Sequence, residues 1–123
     1  MFTLLCSTNI VLSWVLNQPS PCDFTYYIDA GYGACGTLID ANNQDLAAIS
    51  YTQWVGGNPN NDPICKNICV KIDYNGKSIK VPVKDKCPSC TESHVDLSRT
   101  AFMKLANLNI GHVYGATKTF VIC

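Results

Sequence analysis

Residues 84–98 read KDKCPSCTESHVDLS and gather Asp85, Cys87, Cys90, His94 and Asp96 into one short stretch. Three chemistries could use these side chains: a thiolate metal knuckle, a dithiol redox switch, or the polar wall of a binding groove. Cys65-x3-Cys69 followed by Cys87-x2-Cys90 approaches the spacing of a four-cysteine zinc site, in which two short chelating turns are brought together. A redox Cys-Pro-Ser-Cys would open a helix after a strand within a βαβ unit, and no such alternation follows this one. His94 alone supplies no metal set and reads as a scaffold residue.

Which of these holds depends on the compartment and on the elements that carry the stretch. Eight cysteines in 123 residues point to an oxidising environment, where disulfides persist. The run FTLLCSTNIVLSWVL (2–16) is too short to span a membrane, and with the following NQPSP it has the form of a secretory leader, although a basic start and a small-x-small cleavage site are missing. The expected division is a leader over residues 1–21 and one domain over 22–123, secreted to the extracellular space. In that setting cysteines oxidise rather than hold zinc. Removing Cys6 with the leader leaves seven, so either cleavage also removes Cys22 or one thiol stays free or pairs outside the chain.

At this length the chain has room for one modest core, and covalent staples would add to it. Only 15% of residues are charged, 47% are hydrophobic and the net charge is zero, which argues against a disordered chain and against a nucleic-acid partner. The first 65 residues hold five acidic and no basic side chains, the remainder four acidic and nine basic, an asymmetry that cancels when the halves fold together.

The pattern is mostly β. FTYYI (24–28) and LAAIS (46–50) are β-prone runs. CVKIDY (69–74) alternates, Asn75-Gly76 offers the positive φ of a tight hairpin turn, and SIKVPVK (78–84) alternates back. Pro82 lacks an N–H, which predicts an edge or a distortion there. Ser98 can cap a helix over RTAFMKLAN (99–107), and GATKTFVIC (115–123) reads as a closing strand. Short strands without βαβ alternation predict a small barrel or sandwich.

Four blocks, TYYIDAGYGACG (25–36), GGNPNNDPIC (56–65), VKDKCPSC (83–90) and HVDLSRTAFMKLA (94–106), together resemble the fungal loosenins and other single-domain expansin-like proteins of the RlpA-like group, over about residues 24–122. The resemblance implies a mainly β fold: a six-stranded double-psi β-barrel with one or two short helices, stapled by disulfides and bearing an open groove. It implies a protein that binds cell-wall polysaccharide (cellulose, chitin or peptidoglycan) and loosens it without hydrolysis, as a monomer, with no cofactor, no metal and no membrane association once the leader is gone.

The resemblance also assigns residues. Asp96 takes the place of the essential acid of the DLS block; beside Val95 and Leu97 its carboxyl would be desolvated and suited to protonate a glycosidic oxygen. Asp85 and Thr25 map to the same groove. Asp29 falls where the related family-45 glycoside hydrolases carry a general base, so Asp96 and Asp29 would make an inverting endoglucanase if their carboxyls stood roughly 6.5–9.5 Å apart. Tyr26, Tyr27, Tyr32, Tyr51 and Trp54 are candidates to stack on sugar rings, with Trp54 and one of the paired tyrosines equally suited to the core. Each assignment has a structural counterpart: Asp96 as a carboxylate near the start of the Ser98 helix, Asp85 as a partner for Lys84 or Lys86, Thr25 as a strand residue. Cys87 stands where bacterial expansins carry a groove tyrosine. Pairs consistent with the resemblance are Cys87–Cys90 and Cys35–Cys65, while Cys69 and Cys123 are additions able to pair if their strands adjoin; spacing alone fixes no connectivity. The same barrel also serves secreted protease inhibitors and effectors, whose loops bind a protein and in which Asp96 is structural.

Overall fold

Asn75 and Gly76 adopt φ of 51° and 80° and close the tight hairpin that their sequence predicts, between β5 (Ile68–Tyr74) and β6 (Lys77–Cys87). In this computed structural model, which describes residues 12–123, the remaining strands are β1 (Ser20–Tyr27), β2 (Ala30–Tyr32), β3 (Leu38–Asp40), β4 (Ala47–Ser50), β7 (His94–Ser98) and β8 (Val113–Ile122). Six of them close into a barrel in the order β1-β7-β4-β6-β5-β8, while β2 and β3 pair separately. The pairs β1/β7 and β4/β6 are parallel and the others antiparallel, the mixed order of the expected six-stranded double-psi barrel. Pro82 sits just ahead of Val83, where pairing with β4 begins, and next to a register shift, in keeping with its missing N–H.

Alternation along the strands decides what fills the barrel and what faces out. Phe24 on β1 and Val95 on β7 are register partners with no exposed surface, and Phe24 meets Phe102 edge-on at 5.2 Å and Tyr74 at 5.8 Å. Truncating a ring packed this way costs about 3–5 kcal/mol. Because side chains alternate, burying Phe24 and Val95 turns Asp23, Thr25, His94 and Asp96 to the other face.

Ser98 ends β7 and caps α1 (Arg99–Met103), its Oγ accepting from the Ala101 N–H at 3.3 Å. The helix is shorter than the predicted 99–107. Asn107 takes the N-cap of a separate 3-10 turn, Leu108–Ile110, its side chain accepting from the Asn109 N–H at 2.8 Å, and this local bond competes with continuing the helix.

The disulfides are Cys35–Cys65, Cys69–Cys123 and Cys87–Cys90. Cys69 and Cys123 meet because β5 and β8 are neighbours in the barrel. These pairings occupy all four cysteines of the zinc alternative and remove it. Cys22 lies on β1 as a buried free thiol, and burial pushes its pKa up to about 12. Of the expected leader, residues 1–11 lie outside the described residues; within its remainder Trp14 is buried against Phe120 and Ser20 and Pro21 belong to β1. Among the described residues no helix is long and apolar enough to cross a membrane.

Candidate functional site

The parallel register of β1 and β7 sets Asp23 opposite His94 and Thr25 opposite Asp96. The four outward side chains form one hydrogen-bonded row. Asp23 Oδ2 lies 2.7 Å from His94 Nδ1, His94 Nε2 lies 2.8 Å from Thr25 Oγ1, and Thr25 Oγ1 donates to Asp96 Oδ1 at 3.0 Å. On the other side of β1, Phe24 pairs with Val113, which brings the preceding His112 alongside, its Nε2 2.6 Å from the same Asp23 oxygen. This row lines a recess of about 370 Å³ together with Cys87, Ser89, Cys90 and Thr91.

The two carboxylates are tuned in opposite directions. Desolvation raises the Asp96 pKa, and the hydrogen bond from Thr25 offsets only part of that. Desolvation acts on Asp23 as well, but hydrogen bonds from His112 and His94 outweigh it and hold that carboxyl below its ordinary value. The row therefore sets a carboxyl whose charged form is disfavoured, Asp96, with Thr25 and His94 between it and one whose charged form is favoured, Asp23. Asp23, His94 and His112 also present one ligand atom each, all within 4.8 Å of one another, and among the described residues are the group able to hold a metal ion.

The other predicted site residues make no hydrogen bond to this row, although the Asp29 and Asp85 carboxylates stand near enough to Asp96 to add to the rise in its pKa. Asp85 is a scaffold acceptor: Oδ2 takes the Tyr27 hydroxyl at 2.9 Å, and Oδ1 takes the backbone N–H groups of Ala34 and Lys86, each at 3.0 Å. Neither Lys84 nor Lys86 forms an ion pair with it. Asp29 is exposed in the turn between β1 and β2, outside the hydrogen-bonded row. Tyr26 is half-buried against Phe102, with ring centroids 4.9 Å apart, and Trp54 is a core residue. Tyr27 is half-buried with its hydroxyl committed to Asp85, and Tyr51 and Tyr32 are exposed.

Tyr32 belongs to a second feature. In the β2–β3 hairpin Tyr32 is paired directly with Leu38, and the two are 78% and 67% exposed. Ile28, just before the hairpin, is 57% exposed. The loop between β2 and β3 is held firmly: the Ala34 N–H donates to Asp85, Cys35 is bonded to Cys65, and Gly33 packs so closely that a Cβ there would stand 2.6 Å from the Lys84 carbonyl oxygen. An apolar, exposed tip on a fixed base has the form of a preorganised protein-binding element.

Asp23, His112 and the hairpin are not evident as site features in the sequence. Asp23 and His94 are 71 positions apart, and only the parallel β1/β7 pairing joins them. The hairpin strands have three residues each, too few for an alternation to show. The one available signal was the exposed-type pair Tyr32 and Leu38 on either side of a Gly-containing turn.

Comparison with known proteins corrects the reading of the motif blocks. Residues 24–116 match the family described as "Lytic transglycolase". The papain inhibitor of Streptomyces mobaraensis is 59% identical over 97 residues, spanning 79% of this chain and 68% of its own. The solved structure of Streptomyces papain inhibitor superposes with a TM-score of 0.86 at 53% identity, covering 89% of this chain and 99% of that one. The expansin of Clavibacter michiganensis gives a TM-score of 0.69 at 22% identity, covering 85% of this chain and 50% of its own, a likeness of fold alone.

The specific resemblance to loosenins and single-domain expansins is thereby overturned, and with it the expectation of polysaccharide loosening and of a cell-wall polysaccharide partner. The physical reason is visible in the barrel. The TYY and HVDLS blocks are β1 and β7, the register-paired strands that build the barrel wall, so they report the shared scaffold rather than what it binds. Of the candidate aromatics, Trp54 lies in the core and Tyr26 packs against it, the alternative that the sequence left open for Trp54 and for one of the paired tyrosines. The expectation of a non-hydrolytic protein agrees with similarity to a protein named as an inhibitor. The match over residues 24–116 and the 59% identity place the chain in the double-psi β-barrel family that carries the description "Lytic transglycolase".

Proposed function

We propose that this chain is a secreted protease inhibitor that binds a papain-like cysteine protease, with a protein as its partner. The observation that carries the reading is the 59% identity to the Streptomyces mobaraensis papain inhibitor, supported by the 0.86 TM-score over 99% of the solved inhibitor. The surface offered to the protease is the β2–β3 hairpin. Ile28, Tyr32 and Leu38 supply apolar contact, and tyrosine is prominent among the residues that dominate interface energies. The Cys35–Cys65 bond and the Asp85 anchor hold that surface in place before binding, which reduces the entropy lost on association.

Secretion fits the same reading, since three disulfides require an oxidising compartment. A leader cleaved ahead of Trp14 would leave every barrel strand intact.

Calorimetric titration of the purified chain into active papain, and into papain whose active-site cysteine carries a bulky alkyl group, tests the reading. One-to-one binding to the active protease, lost on alkylation, is the expected result. Heat-silent titration of both forms refutes it.

A further inference from the structure

We propose that Asp23, His94 and His112 form a binding site for a zinc-class divalent transition metal ion on the outer face of the barrel. The chain has two histidines, and the fold brings both to one carboxylate. His94 Nδ1, from β7, and His112 Nε2, from the residue just ahead of β8, point at the same Asp23 oxygen from opposite sides of β1, at 2.7 and 2.6 Å. Metal–ligand distances near 2.1 Å place tetrahedral donors about 3.4 Å apart, so each imidazole nitrogen needs to move only about 0.7–0.8 Å away from the Asp23 oxygen to admit an ion. Two imidazoles and one carboxylate suit zinc or cobalt, whereas magnesium and calcium favour all-oxygen sets.

The surrounding hydrogen bonds prepare the donors. A neutral imidazole that gives one nitrogen to a metal keeps its proton on the other, and that N–H needs an acceptor. His94 Nε2 has Thr25 Oγ1 at 2.8 Å, whose own hydrogen goes to Asp96. His112 Nδ1 has the Tyr114 hydroxyl at 3.3 Å, and the Tyr114 ring stacks on His112 at 4.2 Å with planes 12° apart. The His94 and His112 rings stand nearly perpendicular at 5.0 Å, so their facing nitrogens converge without crowding. Binding replaces the hydrogen that each imidazole points at Asp23: His94 keeps the Nε2–H that it donates to Thr25, His112 carries its hydrogen on Nδ1 toward the Tyr114 hydroxyl, and the displaced proton is released to solvent.

Three protein ligands leave a fourth position, which opens toward the recess lined by Ser89, Thr91 and Asp96. A zinc-class ion carries two positive charges against one from Asp23, so that position favours water or an anionic donor. The proposal stands whether or not the chain inhibits a protease.

The test is isothermal titration of zinc into the untagged, chelator-stripped full chain, with cobalt(II) absorption as a second readout. The expected result is one zinc per chain and visible cobalt bands without thiolate charge transfer, with magnesium and calcium silent. His112→Ala, at a side chain 39% exposed whose loss spares the core, should weaken zinc by about tenfold or more, and Asp23→Asn likewise, with the fold checked by circular dichroism. No stoichiometric zinc binding, zinc binding equally tight in a folded His112→Ala variant, or preference for calcium would overturn it.

Discussion

Tyr32 and Leu38 face each other across the β2–β3 hairpin, and both side chains stand clear of the barrel on a loop that a disulfide and Asp85 hold in place. If this pair enters the protease cleft, Tyr32→Ala should weaken papain inhibition by about thirtyfold, near 2 kcal/mol, with Leu38→Ala somewhat less. Neither substitution should lower thermal stability appreciably, since neither side chain is buried. Inhibition constants measured beside melting temperatures check both halves.

Asp85 serves that hairpin from below. Replacing it with alanine strands the Ala34 and Lys86 N–H groups and the Tyr27 hydroxyl, and should cost roughly 2 kcal/mol or more in denaturant unfolding. Asp29→Ala, at an exposed turn position, should stay within about 0.5 kcal/mol. Equal losses in the two variants would contradict the scaffold role of Asp85.

Asp45 gives a pH signature. Desolvation works against its ionised form, but bonds from Lys104 and Thr100 outweigh it and lower the pKa below the usual value of 3.8. A carboxyl depressed in the folded state contributes stability that is full above the unfolded pKa and is lost as pH falls through the folded one. The stability gap between the wild-type chain and Asp45→Asn should therefore be constant from neutral pH down to about 5 and close below about pH 4. Lys104 is more than half exposed, so the gap should not exceed about 1 kcal/mol.

The disulfides should differ in weight. Chain entropy assigns about 4 kcal/mol to Cys69–Cys123, with a separation of 54 residues, and roughly 1.5 kcal/mol to Cys87–Cys90, with a separation of three. Paired serine variants compared by guanidinium unfolding should rank in that order, with the Cys69/Cys123 variant also freeing the end of β8.

What was legible in the sequence was what neighbouring residues decide. Asn75-Gly76 specified its hairpin, Ser98 its cap, and the alternation in 69–84 its two strands, because each depends on contacts a few positions away. The barrel topology and the Cys35–Cys65 and Cys87–Cys90 pairs came with the family resemblance, which described the scaffold correctly and its binding partner wrongly, while Cys69–Cys123 depended on β5 and β8 being neighbours. The reason is that the TYY and HVDLS blocks lie on β1 and β7 and build the barrel wall, while a partner is chosen by surface elements such as the 30–40 hairpin, whose three-residue strands leave no periodic trace. The convergence of Asp23, His94 and His112 was equally invisible, since it joins residues on three elements through parallel and antiparallel pairing.

Residual papain activity measured against increasing concentrations of the purified chain tests the central claim most directly. The account predicts saturable inhibition that approaches completion at a one-to-one ratio under tight-binding conditions and weakens in Tyr32→Ala. Undiminished papain activity at a large molar excess of folded, disulfide-bonded protein would contradict it.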